Sequence, residues 1–203
     1  ARCSRWSLKE VIFAEGVTEV CQCALRECEN ITKISLPSTL EKIGTEAFYG
    51  CEKWEDEIYL PEGLTEIGGS AFGGCVSLKG TVVIPSGITK IEGGVFSDCM
   101  RLEKLEIGNQ VTEAGANAFS NCSGLKEVKL PNTMKLFVSE WNEWGKHDSF
   151  YGCGGVEKIV YTQGDGEVYQ PGVDDHTVAR CSRWSLKEVI FAEGVTEVCQ
   201  CAL

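Results

Sequence analysis

Cysteine recurs along this chain at a nearly constant interval. After Cys3 it falls at Cys28, Cys51, Cys75, Cys99, Cys122, Cys153 and Cys181, with separations of 23, 24, 24, 23, 31 and 28 residues from Cys28 onward. A period of this length is the mark of a solenoid, propeller or array, in which each unit packs only on its neighbours. Other residues keep the same period. A small residue and Phe stand ahead of the Cys in Ala47-Phe48, Ala71-Phe72, Val95-Phe96 and Ala118-Phe119. Earlier in each unit a Thr lies between aliphatics, as in Val17-Thr18-Glu19-Val20, Leu64-Thr65-Glu66-Ile67 and Ile88-Thr89-Lys90-Ile91. Earlier still comes a short alternating run that ends in Pro: Ile34-Ser35-Leu36-Pro37, Ile58-Tyr59-Leu60-Pro61, Val82-Val83-Ile84-Pro85 and Val128-Lys129-Leu130-Pro131.

Alternation predicts a short strand with one buried face. Pro cannot donate to a strand ladder and stops it. A second aliphatic pair, such as Leu40 and Ile43, turns the chain back to the core, and the Ala-Phe segment makes a brief helical or irregular turn with Phe inside. One unit cannot bury its apolar side alone; stacked units bury it against each other. Length variation fits this register. Two residues usually separate the opening apolar residue from the strand, as in Leu102-Glu103-Lys104-Leu105. Three do so in the third and fourth units, Trp54 to Ile58 and Leu78 to Val82.

With these motifs in view, the chain resembles the BspA-like, or Treponema-type, leucine-rich repeats, whose pattern is L-x-x-I-x-I-P-x-x-V-T-x-I-G-x-x-A-F-x-x-C. The match spans residues 6 to 153 and resumes from 182 to 203, and fails between 162 and 178. The resemblance implies a leucine-rich-repeat solenoid of about 23–25 residues per coil. Short parallel β-strands would line its concave face and irregular, short helical or β turns its convex face. It also implies an extracellular or cell-surface protein that works in adhesion or protein recognition. Residues 1–203 are expected to form a single solenoid, with regular coils over 1–153 and irregular inserted coils over about 137–178.

A second repeat is longer. Residues 179–203 repeat residues 1–25, ARCSRWSLKEVIFAEGVTEVCQCAL, without a substitution. Three explanations stand open: one period of a long protein with a 178-residue super-repeat, an engineered chain that ends on the unit it begins with, or a recent copy of one unit. Under the first, coils stacked at roughly 4.8 Å advance about 34 Å per period. Neither end reads as a polar cap, so the end coils are expected to meet another copy or to continue into further sequence. The opening residues do not read as a signal peptide.

The formal charge is −11. Such a surface repels phosphate backbones and anionic membranes, and no apolar run is long enough for a membrane helix. The expected partners are a protein ligand or further copies of the chain end to end, with no nucleic acid and no membrane insertion. No phosphate loop, nucleophile elbow or zinc-protease helix is present, and both histidines, His147 and His176, lie in irregular stretches. No enzyme activity, cofactor or metal site is expected.

Candidate contact residues fall in three groups. Strand residues aimed away from the core form a concave stripe in which Ile12, Tyr59, Val83, Val160 and Ile190 are apolar and expected to be exposed. Beside it runs a row of alternating charge, Glu10, Lys33, Glu57, Thr81, Lys104, Glu127, Lys158 and Glu188, expected to pair from coil to coil. The irregular segment carries Trp141, Trp144 and Tyr169, either recognition residues or covers over an open core. An acidic loop with Asp165, Glu167, Asp174 and Asp175 reads as solvated rather than as a calcium loop. Cys21-Gln22-Cys23 and its copy Cys199-Gln200-Cys201 replace Gly44 and Glu46 of the next unit. If extended, both thiols would face one way, open to cross-linking, though two ordinary free thiols are the plainer reading. The periodic cysteines read as small buried thiols.

Overall fold

A computed structural model of the chain describes residues 7–136, 148–164 and 185–195. Every described coil but the third contributes one strand to the concave face. These are β1 (Glu10–Ile12), β3 (Lys33–Ser35), β6 (Lys79–Val83), β8 (Arg101–Glu106), β10 (Glu127–Pro131), β12 (Lys158–Thr162) and β13 (Glu188–Phe191). All pairings are parallel, as a stack of same-handed coils requires: β1 with β3, and β6, β8, β10, β12 and β13 in order. Apolar residues of each strand face in. Val82, Leu105, Val128 and Ile159 are fully buried, while the residues between them face out.

A second, narrower set of strands follows, which alternation could not reveal because each is two residues long. β2 (Glu19–Val20), β4 (Lys42–Ile43) and β5 (Glu66–Ile67) make one sheet; β7 (Lys90–Ile91), β9 (Glu113–Ala114) and β11 (Lys135–Leu136) make another. The Ala-Phe segments form stacked turns, not helices. Their amides reach the following coil: Phe48 donates to the Ala71 carbonyl, Phe72 to Val95, Phe96 to Ala118 and Phe119 to Ser149, at 2.8–2.9 Å. Most coils hold two left-handed positions here, and the Phe150 coil holds one. Cys23, Glu46, Ser70, Gly94 and Asn117 occupy the first and Glu27, Gly50, Gly74, Asp98, Asn121 and Gly152 the second. Asn and Gly recur there because they tolerate positive φ.

The interior is continuous from Val20 to Tyr161. Phe48, Phe72, Phe96, Phe119 and Phe150 lie fully buried in a file, with successive ring centroids 5.3, 5.0, 5.9 and 4.9 Å apart and nearly parallel planes. Ser149 stands where Ala118 stands one coil earlier, and its hydroxyl bonds the Ala114 and Gly115 carbonyls at 3.0 Å. Cys51, Cys75, Cys99, Cys122 and Cys153 are fully buried, and each thiol donates to a carbonyl of the preceding coil: Leu25, Phe48, Phe72, Phe96 and Phe119. Burial pushes the Cys75 and Cys99 thiols above the usual thiol range; at Cys122 the adjacent Cys153 acts first and burial second. These thiols are small core groups with an inter-coil hydrogen bond.

Both sheets are interrupted at the third coil. On the concave face no strand pairing joins β3 to residues 57–60; the third coil makes only an isolated bridge, Glu57 to Lys79. The extra residue of the fourth coil appears as a register slip in β6 between Gly80 and Thr81, with Gly80 at φ +80°. The second sheet breaks between β5 and β7 for a separate steric reason. After β4, β5 and β9 comes a glycine, and a Cβ there would meet the preceding coil's backbone: Gly44 at 2.5 Å, Gly68 at 2.3 Å, Gly115 at 2.8 Å. After β7 the residue is Glu92. No pairing joins β5 to β7 there, although Glu66 and Lys90 carry opposite charges. Lys42 pairs with Glu66 at 3.3 Å and Lys90 with Glu113 at 2.8 Å, one on each side of the break.

Candidate functional site

The interruption of the concave face opens a cleft of about 410 Å³ between β3 and the third coil, lined by Lys33, Ile34, Ser35, Leu36, Asp56, Glu57, Ile58, Tyr59 and Lys79. Its cause is the longer connection from Trp54 to Ile58. Trp54 stays anchored, fully buried against the Phe48 and Phe72 rings, while the residues after it loop outward. At intact junctions an amide just after the strand donates across the coils: Phe13 to the Ser35 carbonyl, Ile84 to Glu106 and Ile107 to Lys129. The matching bond from Leu36 to Tyr59 is absent, so β3 presents an unmatched strand edge to the cleft.

Tyr59 overhangs this gap at 79% exposure, with its hydroxyl donating to Glu57 Oε2 at 2.9 Å. That bond to a carboxylate holds the phenol above its usual range. Ile12, 70% exposed, and Val83, 49% exposed, are the other outward apolar residues of this part of the concave face. Lys33 reaches away from the cleft to Glu10 at 2.8 Å, a contact that raises its pKa.

The predicted stripe is therefore divided. Val160 and Ile190 are half-buried rather than exposed. They sit opposite each other in paired strands, and Lys129 flanks Val160 on its other side, so neighbouring side chains cover them. Tyr59 lacks such cover because the sheet is broken beside it, and Ile12 has only the short Ser35 opposite it. The charged row does pair along the intact sheet: Lys104 with Glu127 at 3.2 Å, and Lys158 with Glu127 at 3.9 Å and with Glu188 at 3.7 Å. At the gap the pattern fails, and Glu57 turns to Tyr59 instead.

Cys21 and Cys23 are exposed free thiols. They do not lie on an extended segment, because Cys23 occupies a left-handed turn position at φ 55°. The Cys23 thiol points to Glu46 Oε2 at 3.6 Å, and Arg26, bonded to the same carboxylate, stands 5.2 Å over the Tyr49 ring. Trp141, Trp144, Tyr169, Cys199, Cys201 and the acidic loop lie outside the described residues. Among the described residues no group of three or more His, Cys, Asp or Glu is placed to hold a metal ion. No helix of the described residues is long and apolar enough to cross a membrane.

The comparisons agree with this architecture. A crystal structure of the leucine-rich-repeat protein of Treponema pallidum is 30% identical and superposes with a TM-score of 0.59, over 76% of this chain and 73% of that one. A leucine-rich-repeat protein of Eubacterium ventriosum is 22% identical with a TM-score of 0.55, over 75% of this chain but 35% of its own length. A leucine-rich cell surface protein of Faecalibacterium prausnitzii aligns more loosely, at 22% identity and a TM-score of 0.40 over 91% of this chain and 60% of that one. No curated protein matches the chain. The pattern described as BspA type Leucine rich repeat region (6 copies) covers residues 2–59 and 55–170, and the chain belongs to that family.

Proposed function

We propose that this chain is a non-catalytic recognition module of a surface protein, and that the cleft between β3 and the third coil receives an extended, basic segment of a protein ligand. The observation that carries this reading is the open edge of β3, where strand pairing stops on the described concave face; beyond it the third coil meets β6 by a single bridge. An extended peptide can satisfy such an edge with its own backbone. The cleft carries Asp56 and Glu57 beside Lys33 and Lys79, with Lys33 turned to Glu10, and the net charge of −11 on the chain favours a basic partner and speeds its approach. Tyr59, large and amphipathic, is the residue type that anchors interfaces. The family resemblance supports a role in adhesion at a cell surface.

The test is selection of binders from a displayed library of random peptides, followed by affinity measurement. Tyr59→Ala is expected to weaken selected basic peptides about tenfold, roughly 1.4 kcal/mol, while Val160→Ala leaves them unchanged. Peptides that bind Tyr59→Ala as tightly as wild type would rule the cleft out.

A second reading is favoured by a separate observation, the identity of residues 1–25 and 179–203. Blocks of 178 residues that stack end to end would make a fibre or stalk, with recognition surfaces repeated along it.

A further inference from the structure

In the stacked turns, the residue after each Phe of the interior file lies on the convex face. That column reads Tyr49, Gly73, Ser97, Ser120 and Tyr151. Two phenols thus stand at the ends of a run of three small residues. The surface sinks between them as a trough of about 500 Å³. At about 4.8 Å per coil, the two tyrosines are roughly 19 Å apart along the stack. Gly73 lets the Tyr49 ring settle at the trough's edge, because a Cβ there would stand 3.1 Å from the ring's Cδ2 and 3.1 Å from Ser97 Oγ. Arg26 stacks over the same ring at 5.2 Å and helps to hold it.

The trough is supplied with hydroxyls that the fold does not use. Ser70, Ser97 and Ser120 all line it. None of the three hydroxyls has a hydrogen-bond partner among the described residues. Ser120 is only 5% exposed, so its hydroxyl opens on little but this cavity. By contrast, the buried Ser149 hydroxyl in the next coil bonds two carbonyls. A buried hydroxyl left unbonded is costly, and a polar ligand in the trough would satisfy it. At the rim Asn121 donates to Asp98 Oδ1 at 2.9 Å, which holds an amide and a carboxylate side by side.

A hydroxyl both donates and accepts, so this lining suits a ligand whose own groups do both. The tyrosines at either end add apolar ring faces with a polar tip. A sugar ring matches that combination, with hydroxyls around its edge and C–H groups across its faces. Among the described residues no lysine or arginine lines the trough, and Asp98 and a net charge of −11 disfavour phosphates and acidic sugars. A peptide strand finds no free backbone here. The turn amides are spent between coils, Phe72 on the Val95 carbonyl, Gly74 on Ser97, Gly94 on Ala116 and Asp98 on Ser120. We propose that the trough between Tyr49 and Tyr151 binds a neutral oligosaccharide, on the turn face and independently of the β3 cleft.

The test is a set of nitrogen-15 spectra of the full chain, titrated in turn with cellohexaose, maltohexaose, mannohexaose and, as the acidic comparison, hexagalacturonate. At least one neutral hexasaccharide is expected to shift the Ser97, Ser120 and Asn121 amides saturably, while hexagalacturonate does not. Tyr151→Ala, at an exposed side chain, is expected to weaken that sugar about tenfold. Ser120→Ala should weaken it about fivefold, the loss of one hydrogen bond. Tyr59→Ala, at the cleft, should leave it unchanged, and urea midpoints confirm that each variant is folded. No saturable shift with any neutral hexasaccharide, shifts confined to the cleft, or unchanged affinity in folded Tyr151→Ala would each overturn the proposal. So would a selected basic peptide that moves the Ser97 and Ser120 amides when no sugar does.

Discussion

Phe96→Ala is expected to destabilise the fold by about 3–5 kcal/mol, read as a fall in the urea midpoint. Phe96 is fully buried between Phe72 and Phe119, with centroids at 5.0 and 5.9 Å. Removing it leaves a void that the coils above and below cannot close. Each coil is held at its spacing by backbone bonds on the turn side, with Phe72 donating to Val95 and Asp98 to Ser120. The loss therefore combines apolar transfer, cavity cost and two aromatic pairings. Phe96→Leu, which refills most of the space, should cost markedly less. A loss below about 1 kcal/mol for the alanine variant would mean that these rings do not form a packed file.

The second large effect concerns a single methyl group. Gly68→Ala places a Cβ 2.3 Å from the Thr45 nitrogen and 2.7 Å from the Gly44 carbonyl carbon. Backbone on both sides cannot yield without parting the coils, which breaks the pairing of β4 with β5 and the Gly68 amide bond to Ile43 at 2.8 Å. Overpacking and broken hydrogen bonds together are expected to cost about 2–3 kcal/mol. The Gly68 amide should also lose hydrogen-exchange protection in a destabilised variant that still folds. The control is Glu92→Ala. That residue occupies the equivalent place where the sheet is already open, so its removal should change stability by less than about 0.5 kcal/mol. Equal effects at the two positions would contradict the steric account of the break.

Much of the stack could be read from residue order because its cause is periodic. The alternation in Val82 to Ile84 or Val128 to Leu130 marks a half-buried strand, and the recurring Phe and Cys mark positions that face the same interior. The second sheet was hidden by its brevity: Glu19–Val20 or Lys90–Ile91 is too short to show a period. Its break at Glu92 left a trace, a glutamate between Gly68 and Gly115 in a column that also holds Gly44, but the trace has meaning only once the inter-coil distance is known. The cleft was half legible. The extra residue between Trp54 and Ile58 was visible, whereas its effect on pairing with β3 was not. Val160 and Ile190 misled for the opposite reason: outward direction in a strand does not give exposure when a neighbouring strand sets a long side chain alongside, as Lys129 and Ile190 flank Val160 and Val160 flanks Ile190. Cys21 and Cys23 misled because spacing alone does not disclose a positive φ, although Gly94 and Asn117 in the same column hinted at one.

Everything rests on coils stacked in sequence order around one interior. Proton–proton Overhauser contacts in the labelled protein test this most directly. The account predicts ring-to-ring contacts running only between successive members of the file Phe48, Phe72, Phe96, Phe119 and Phe150, with Leu105 flanked in parallel register by Val82 and Val128. Antiparallel contacts between those strands, or rings in contact out of sequence order, would contradict it.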